Sequence, residues 1–151
     1  MKYFKKEELA RCFRENGARC RECPLKQPAD KLPGGCEENL EALMENVLEP
    51  ARAAYGKPLY VNSGYRCSIH NAAVGGASGS QHMRGEAADV HCEDNLALAR
   101  IIVANGKFDQ LILYPTFLHV SWKRLGGNRQ QILRKTANGY SAVSAKEILQ
   151  G

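Results

Sequence analysis

The side chains best suited to chemistry lie in one short segment, residues 80–92, with the sequence SQHMRGEAADVHC. His82 and Asp89 flank Gly85, a residue type that adopts left-handed backbone angles and lets the chain fold back closely. Imidazole nitrogens and carboxylate oxygens bind zinc, and a catalytic zinc site takes three protein ligands and leaves a fourth position for water. The third ligand predicted downstream is His119, in the apolar segment FLHVSW.

The same residues also have a purely structural interpretation. A histidine in an apolar strand can pack in the core with its ring bonded to a backbone carbonyl, and a polar loop before a strand needs no metal. His91, two residues after Asp89, is expected on the same face of a strand. Spacing alone therefore leaves both interpretations of His82, Asp89 and His119 open.

Two helices that would support this segment are predicted from apolar periodicity. In residues 37–55 the apolar side chains follow three- and four-residue steps, and acidic residues occupy the first turn, where the helix dipole favours them. The segment NLALARIIVANG predicts a second helix, with Asp94 as its N-cap and Gly106 at its end. FKKEELARCF predicts a shorter amphipathic helix, and CSIHNAAVGG one or two helical turns.

Strands are predicted in PLYVNSGYR, EAADVHC, FDQLILY and FLHVSWK, with a tight hairpin at Pro115 and Thr116 between the last two. SGSQH is predicted to be a loop, QQILRK a further strand, and the tail from Ser144 weakly helical. The basic segment SWKRLGGNR is interpreted as a solvated turn. The predicted fold class is α+β, with N-terminal helices packed on a mostly antiparallel sheet.

Length and composition predict a single domain over residues 1–151, since a chain of this size forms one well-packed core. We divide it into a cysteine-rich helix and loop (1–36), a core that carries the motifs (37–122), and a C-terminal strand and tail (123–151). A monomer is expected. The formal net charge of +5 suits an anionic partner such as cell wall or nucleic acid, but does not choose between them.

No apolar run reaches the roughly 18 residues of a membrane-spanning helix, and the first residues lack the apolar core of a signal peptide. We therefore expect a protein that is cytoplasmic as made and that acts on the cell wall or periplasm only after release or export by another route. Six cysteines are present, four of them early in the chain. A zinc site of Cys12, Cys20, Cys23 and Cys36, disulfide bonds and free thiols all remain open.

Two longer stretches, VNSGYRCSIHNAAVGGASGSQHMRGEAADV and FDQLILYPTFLHVSW, resemble the zinc D-Ala-D-Ala carboxypeptidases and peptidoglycan endopeptidases, which share a fold with the hedgehog signalling domain. The signature S-x-H-x-x-G-x-A-x-D matches residues 80–89, and a later H-V-S strand matches residues 119–121. The resemblance implies one zinc ion held by His82, Asp89 and His119, and a substrate carboxylate bound by Arg66. Ser80 and Gln81 are further substrate-binding candidates, either donating to the carbonyl oxygen or shaping the loop.

The resemblance is incomplete where these peptidases place a general base. They carry a carboxylate a few residues before the last histidine ligand, whereas residues 113–118 contain no acid. His91 is the favoured substitute, because an imidazole titrates near neutral pH, with a role in orienting Asp89 as the alternative. Glu86 and Asp109 are the other candidates.

The first function hypothesis is a zinc metallopeptidase that hydrolyses peptidoglycan stem peptides, as a D-Ala-D-Ala carboxypeptidase or an endopeptidase, similar to phage or prophage lysis proteins. The second is a zinc-containing module that binds wall peptides with little or no catalysis, because the base is missing. The third is a zinc-stabilised interaction or nucleic-acid module in the cysteine-rich region, which would show salt-sensitive nucleic-acid affinity. Peptidoglycan peptides are the expected partners, and nucleic acid is not expected.

Overall fold

The structure, a computed structural model, describes residues 1–10, 32, 34–67, 71–72 and 74–150. The predictions that concern Cys12, Cys20 and Cys23, the end of the first helix and residues 68–70 and 73 of CSIHNAAVGG therefore lie outside the described residues. The described helices and strands share one hydrophobic core. No helix within these residues combines the length and apolar character needed to cross a membrane.

The long helix predicted at residues 37–55 is confirmed, with one irregularity. After the short helix α1 (Lys6–Leu9), helix α2 (Cys36–Leu43) continues through a π-helical turn (Met44–Leu48) into α3 (Glu49–Tyr55). Pro50 stands in the first turn of α3 and has no amide hydrogen, so the usual hydrogen bond to the preceding turn is missing where the helix widens. The apolar side of this segment is buried in the core.

The second predicted helix is also confirmed, together with both of its ends. Helix α4 (Asn95–Asn105) begins after Asp94, whose Oδ1 accepts a hydrogen bond from the Ala97 amide at 3.0 Å. It ends at Gly106, which adopts a left-handed conformation with φ of 73°. The tail forms helix α5 (Ala145–Gln150), as predicted.

Six strands form one mostly antiparallel sheet, which confirms the predicted fold class. They are β1 (Tyr60–Ser63), β2 (Ala87–His91), β3 (Gln110–Leu113), β4 (Leu118–Ser121), β5 (Gln131–Thr136) and β6 (Gly139–Ala142). Their order is β1-β2-β4-β3-β5-β6, and only β3 and β5 pair in parallel among the described strands. Strand β6 was not predicted, whereas the β3–β4 hairpin was.

The prediction that SGSQH is a loop is wrong for its last two residues, Gln81 and His82. Residues Gln81–Arg84 form a single 3-10 turn, which begins after Ser80 and ends at Gly85 with φ of 75°. The Ser80 hydroxyl accepts a hydrogen bond from the His82 amide at 3.2 Å and so caps the turn. A turn of this length has no apolar periodicity, and sequence patterns therefore do not reveal it.

Candidate metal centre

Strand pairing and the 3-10 turn bring His82, Asp89 and His119 to one point. One possible ligand atom from each residue lies within 4.8 Å of the others. Asp89 Oδ1 is 3.2 Å from His82 Nε2 and 3.0 Å from His119 Nδ1. Asp89 and His119 are directly opposite partners in the β2–β4 ladder, so their side chains leave the sheet on the same face.

The neighbours of Asp89 in β2 explain why it faces away from the hydrophobic core. Ala88 and Val90 belong to the core cluster, and side chains alternate along a strand, so Asp89 is directed to the opposite face. Asp89 is nevertheless only 6% exposed. A buried carboxylate must be paired or bound to a metal.

A backbone carbonyl sets the orientation of the His82 ring. His82 Nδ1 lies 2.7 Å from the Gly64 carbonyl oxygen, and because that oxygen only accepts, Nδ1 carries the proton in the neutral ring. The lone pair of Nε2 then points at Asp89, which is the arrangement found in metal-binding histidines. Gly64 itself must be small, since a Cβ there would lie 2.5 Å from the Leu9 carbonyl oxygen.

The donor set fits a zinc ion. In a tetrahedral site with bonds of about 2.0–2.1 Å, ligand atoms are about 3.3 Å apart, close to the two distances measured from Asp89 Oδ1. Burial raises the pKa of Asp89, but the neighbouring His119 and His82 outweigh it and hold that pKa well below its usual range. Burial lowers the pKa of His119 despite the neighbouring Asp89. A carboxylate and neutral imidazoles are the protonation states that bind a metal.

Arg66 holds the second oxygen of Asp89. Its Nη2 donates to Asp89 Oδ2 at 2.9 Å, its Nε to Ser63 Oγ at 3.1 Å, and its Nη1 approaches Asn71 Oδ1 at 3.4 Å. All three guanidinium nitrogens therefore have a protein acceptor. This contact leaves Oδ1 of Asp89 facing the two histidines.

A cavity of about 470 Å³ opens beside the three residues. The predicted substrate-binding residues Arg66, Ser80 and Gln81 are among the residues that line it. Ser80 and Gln81 also have structural partners, because Ser80 caps the 3-10 turn and Gln81 Nε2 donates to Asp109 Oδ2 at 3.1 Å. Their roles toward a substrate stay predictions.

His91 is not brought to this group. Its exposed ring stacks on Tyr60 with centroids 5.3 Å apart, and its Nδ1 contacts Asn62 Oδ1. Asp89 and His91 lie on the same face of β2, but two residues along a strand are about 7 Å apart. The register of β1 also shifts between Val61 and Ser63, and His91 therefore does not reach the metal group. The described residues that line the cavity do not include His91.

The other two candidate bases are also engaged elsewhere. Glu86 Oε1 accepts a hydrogen bond from Arg84 Nε at 2.9 Å. Asp109 is fully buried, and Arg129 binds both of its carboxylate oxygens. Neither residue lines the cavity among the described residues.

The cavity residues that were not singled out from the sequence include Tyr114 and Arg129. Tyr114 directly follows β3 and lies on the same face as Gln110 and Ile112, which also line the cavity. The sequence signal that could have identified it is the two-residue spacing of these three side chains along the strand. Arg129 lies in the segment interpreted as a solvated turn. The segment does form an exposed turn and the Arg129 side chain is 48% exposed, but Arg129 also pairs with buried Asp109 across 20 residues of sequence.

The comparisons with known proteins agree with this geometry. A family model described as Peptidase M15 matches residues 2–121, which include all three residues of the metal group and end at the last residue of β4. No curated protein matches the chain.

Proposed function

The chain belongs to the peptidase M15 family, and from that premise we propose that it hydrolyses a peptide bond in the stem peptides of peptidoglycan, using zinc held by His82, Asp89 and His119. Peptidases of this family are zinc-dependent. The observation that carries the proposal is the convergence of three buried ligand atoms within 4.8 Å at the wall of a cavity large enough for a peptide.

Zinc at this position would supply a water of pKa near 7 as nucleophile and would polarise the scissile carbonyl. The protein's own residues orient the metal ligands and keep them buried away from solvent. The Gly64 carbonyl oxygen favours the His82 tautomer with the proton on Nδ1. Arg66 donates to Oδ2 of Asp89, so that Oδ1 faces the two histidines. Both contacts reduce the reorganisation needed when metal and substrate bind.

The aromatic wall of the cavity offers a hydrogen-bond donor. Tyr114 stacks on Phe117 with ring centroids 4.4 Å apart, and its hydroxyl lies 3.1 Å from that of Tyr140. Burial, followed by the hydrogen bond with Tyr140, raises the pKa of Tyr114 well above its usual range. Its phenol therefore stays protonated at neutral pH and serves as a donor, not as a base.

Stem peptides fit the charge of the cavity. They carry free carboxylates, and two arginines, Arg66 and Arg129, line the cavity. The net charge of +5 favours approach to an anionic cell wall. The C-terminal D-alanine of a stem peptide is the simplest substrate of this kind.

One observation favours the second function, a zinc-containing module that binds wall peptides with little catalysis. Within the part of the chain that the structure describes, Asp89 is the only carboxylate that lines the cavity. Asp89 belongs to the proposed ligand group and is not available as a general base. The role of base for His91 stays a prediction, to be tested by substitution.

Digestion of purified peptidoglycan and soluble muropeptides with zinc-loaded protein, followed by mass spectrometry, separates the two functions. We expect cleavage products with the wild type and none with His119→Ala, and the product masses will identify the bond. The matched control is His91→Ala, which changes a histidine outside the metal group. Loss of products with zinc retained in this control would identify His91 as the base. Absence of products from wild type carrying one zinc per chain would contradict the peptidase and favour the binding module.

A further inference from the structure

The side-chain amide of Gln81 lies between the cavity and a buried carboxylate. Gln81 lines the cavity and directly precedes His82 in the 3-10 turn. Its Nε2 donates a hydrogen bond to Asp109 Oδ2 at 3.1 Å. Asp109 is fully buried and is not among the described residues that line the cavity. The nitrogen of the amide is therefore held by the protein interior, on the side of Asp109.

The carboxylate of Asp109 is ionised at neutral pH, because it is paired with cations. Arg129 donates to it from Nε at 3.1 Å, from Nη2 at 2.9 Å and from its backbone amide at 2.9 Å. Lys123 Nζ lies 3.9 Å from Oδ1. Burial raises the pKa of Asp109, but the hydrogen bonds from Arg129 lower it to about 2. Asp109 therefore accepts hydrogen bonds and has no proton to donate.

A partner that only accepts fixes the orientation of the Gln81 amide. A glutamine amide carries an NH2 donor on one side and a carbonyl acceptor on the other, and only the donor can face a carboxylate. Oε1 is therefore directed away from Asp109, and it makes no hydrogen bond with any residue that the structure describes. The main chain is also held, since the Gln81 carbonyl accepts from the Glu86 amide at 3.0 Å. Gln81 thus presents a fixed acceptor next to the metal group.

A second glutamine of the cavity wall lacks this constraint. Gln110 also lines the cavity, and its Nε2 donates to Gln131 Oε1 at 2.7 Å. Because a glutamine partner can donate as well as accept, reversing both amides would preserve that hydrogen bond. The contacts of Gln110 therefore do not decide whether it offers a donor or an acceptor, whereas those of Gln81 do.

We propose that Gln81 Oε1, oriented by the Asp109–Arg129 pair, accepts a hydrogen bond from a backbone N–H of the peptide bound at the metal group. This polarity is opposite to the donor role that was one of the two expected of Gln81 from the sequence. Asp109 is a positioning residue, because it acts through Gln81. The ligand class is a peptide, distinguished from the corresponding ester by its N–H. The identity of the peptide rests on the proposed function, and the acceptor at Gln81 rests on the contacts above.

Equilibrium binding of N-acetyl-D-Ala-D-Ala and of two ester analogues tests this assignment. An ester oxygen replaces the N–H of the central peptide bond in one analogue and the N–H of the N-terminal amide in the other. Zinc-loaded protein is titrated and followed by ligand NMR, which separates intact ligand from any hydrolysis product. Wild type is expected to bind one of the esters about fivefold or more weakly than the peptide, because the ester leaves the acceptor without its donor.

Three variants assign this discrimination to Gln81. Gln81→Met has a side chain of similar length without the amide, and it should reduce the ratio of peptide to ester affinity below about twofold. Gln110→Met is the matched control and should keep the wild-type ratio. If Gln81→Met fails to fold, Asp109→Asn carries the test, because an asparagine NH2 can donate to Oε1 and allow the Gln81 amide to reverse. The ratio compares ligands on one protein, so a general loss of affinity does not change it.

Two outcomes would overturn the proposal. One is a wild type that binds the peptide and both esters equally, as expected if Gln81 donates to a carbonyl oxygen, since both esters keep the carbonyl groups. The other is a wild-type ratio that persists in Gln81→Met, which would place the acceptor on another residue. Discrimination without peptidoglycan cleavage would contradict the proposed hydrolysis and leave the acceptor standing. Cleavage without discrimination would leave the hydrolysis standing and exclude the acceptor.

Discussion

Replacement of Gly85 by alanine tests how the turn between His82 and Asp89 sets the geometry of the metal centre. Gly85 has φ of 75°, and a Cβ at this position would lie 2.5 Å from the Cys36 carbonyl oxygen. Both the backbone conformation and the contact with α2 therefore oppose a side chain. The turn cannot relax freely, because its residues lead directly into β2 and Asp89.

The magnitude follows from these two costs. A left-handed conformation costs a non-glycine residue about 1–2 kcal/mol, and forcing a methyl group into backbone atoms costs about 1–3 kcal/mol. We expect Gly85→Ala to lower the free energy of unfolding by about 2–5 kcal/mol in total. Gly56→Ala is the matched control, because Gly56 has φ of 78° and nothing within 4 Å of its Cβ position. Gly56→Ala should lose only the stability that the left-handed conformation costs, about 1–2 kcal/mol.

Urea denaturation of both variants, with and without zinc, measures the difference. Displacement of the turn should also weaken zinc binding by Gly85→Ala about tenfold or more, as seen when supporting contacts of metal ligands are lost, while Gly56→Ala keeps wild-type affinity. Equal destabilisation of the two variants, with unchanged zinc affinity in both, would refute the argument that close approach to Cys36 positions the ligands.

The remaining predictions concern the metal and the buried carboxylate. Zinc at one hundred times its dissociation constant should stabilise the protein by about 2.7 kcal/mol, and scanning calorimetry should show this as a rise in Tm that a chelator reverses and that Asp89→Asn lacks. Burial raises the pKa of Asp109, but the hydrogen bonds from Arg129 lower it to about 2 from an ordinary 3.8. Asp109 therefore stabilises the folded state above about pH 4 and loses that contribution as the pH falls through about 2. The stability advantage of wild type over Asp109→Asn should shrink by about 1–2 kcal/mol between pH 6 and pH 2 in urea titrations; a constant difference would show that Arg129 does not hold the carboxylate in its charged form.

The sequence by itself determined the elements whose signals are local. Apolar periodicity located the helix of residues 37–55, and Asp94 and Gly106 marked the ends of α4, because caps and amphipathic faces depend only on residues a few positions apart. The predicted ligands His82, Asp89 and His119 are the ones that the structure brings together. The resemblance to the zinc peptidases carried that prediction, since spacing alone left a structural interpretation of the same residues open.

Tertiary structure alone decided what depends on register and on contacts between distant residues. Asp89 and His91 share a strand face by parity, but the pairing of β2 with β4 places Asp89 opposite His119, and the pairing of β2 with β1 places His91 beside Tyr60. The parallel pairing of β3 with β5 likewise brings Arg129 to Asp109. A side chain's partner across a sheet is set by long-range packing, and no local pattern in GGNRQ encodes it.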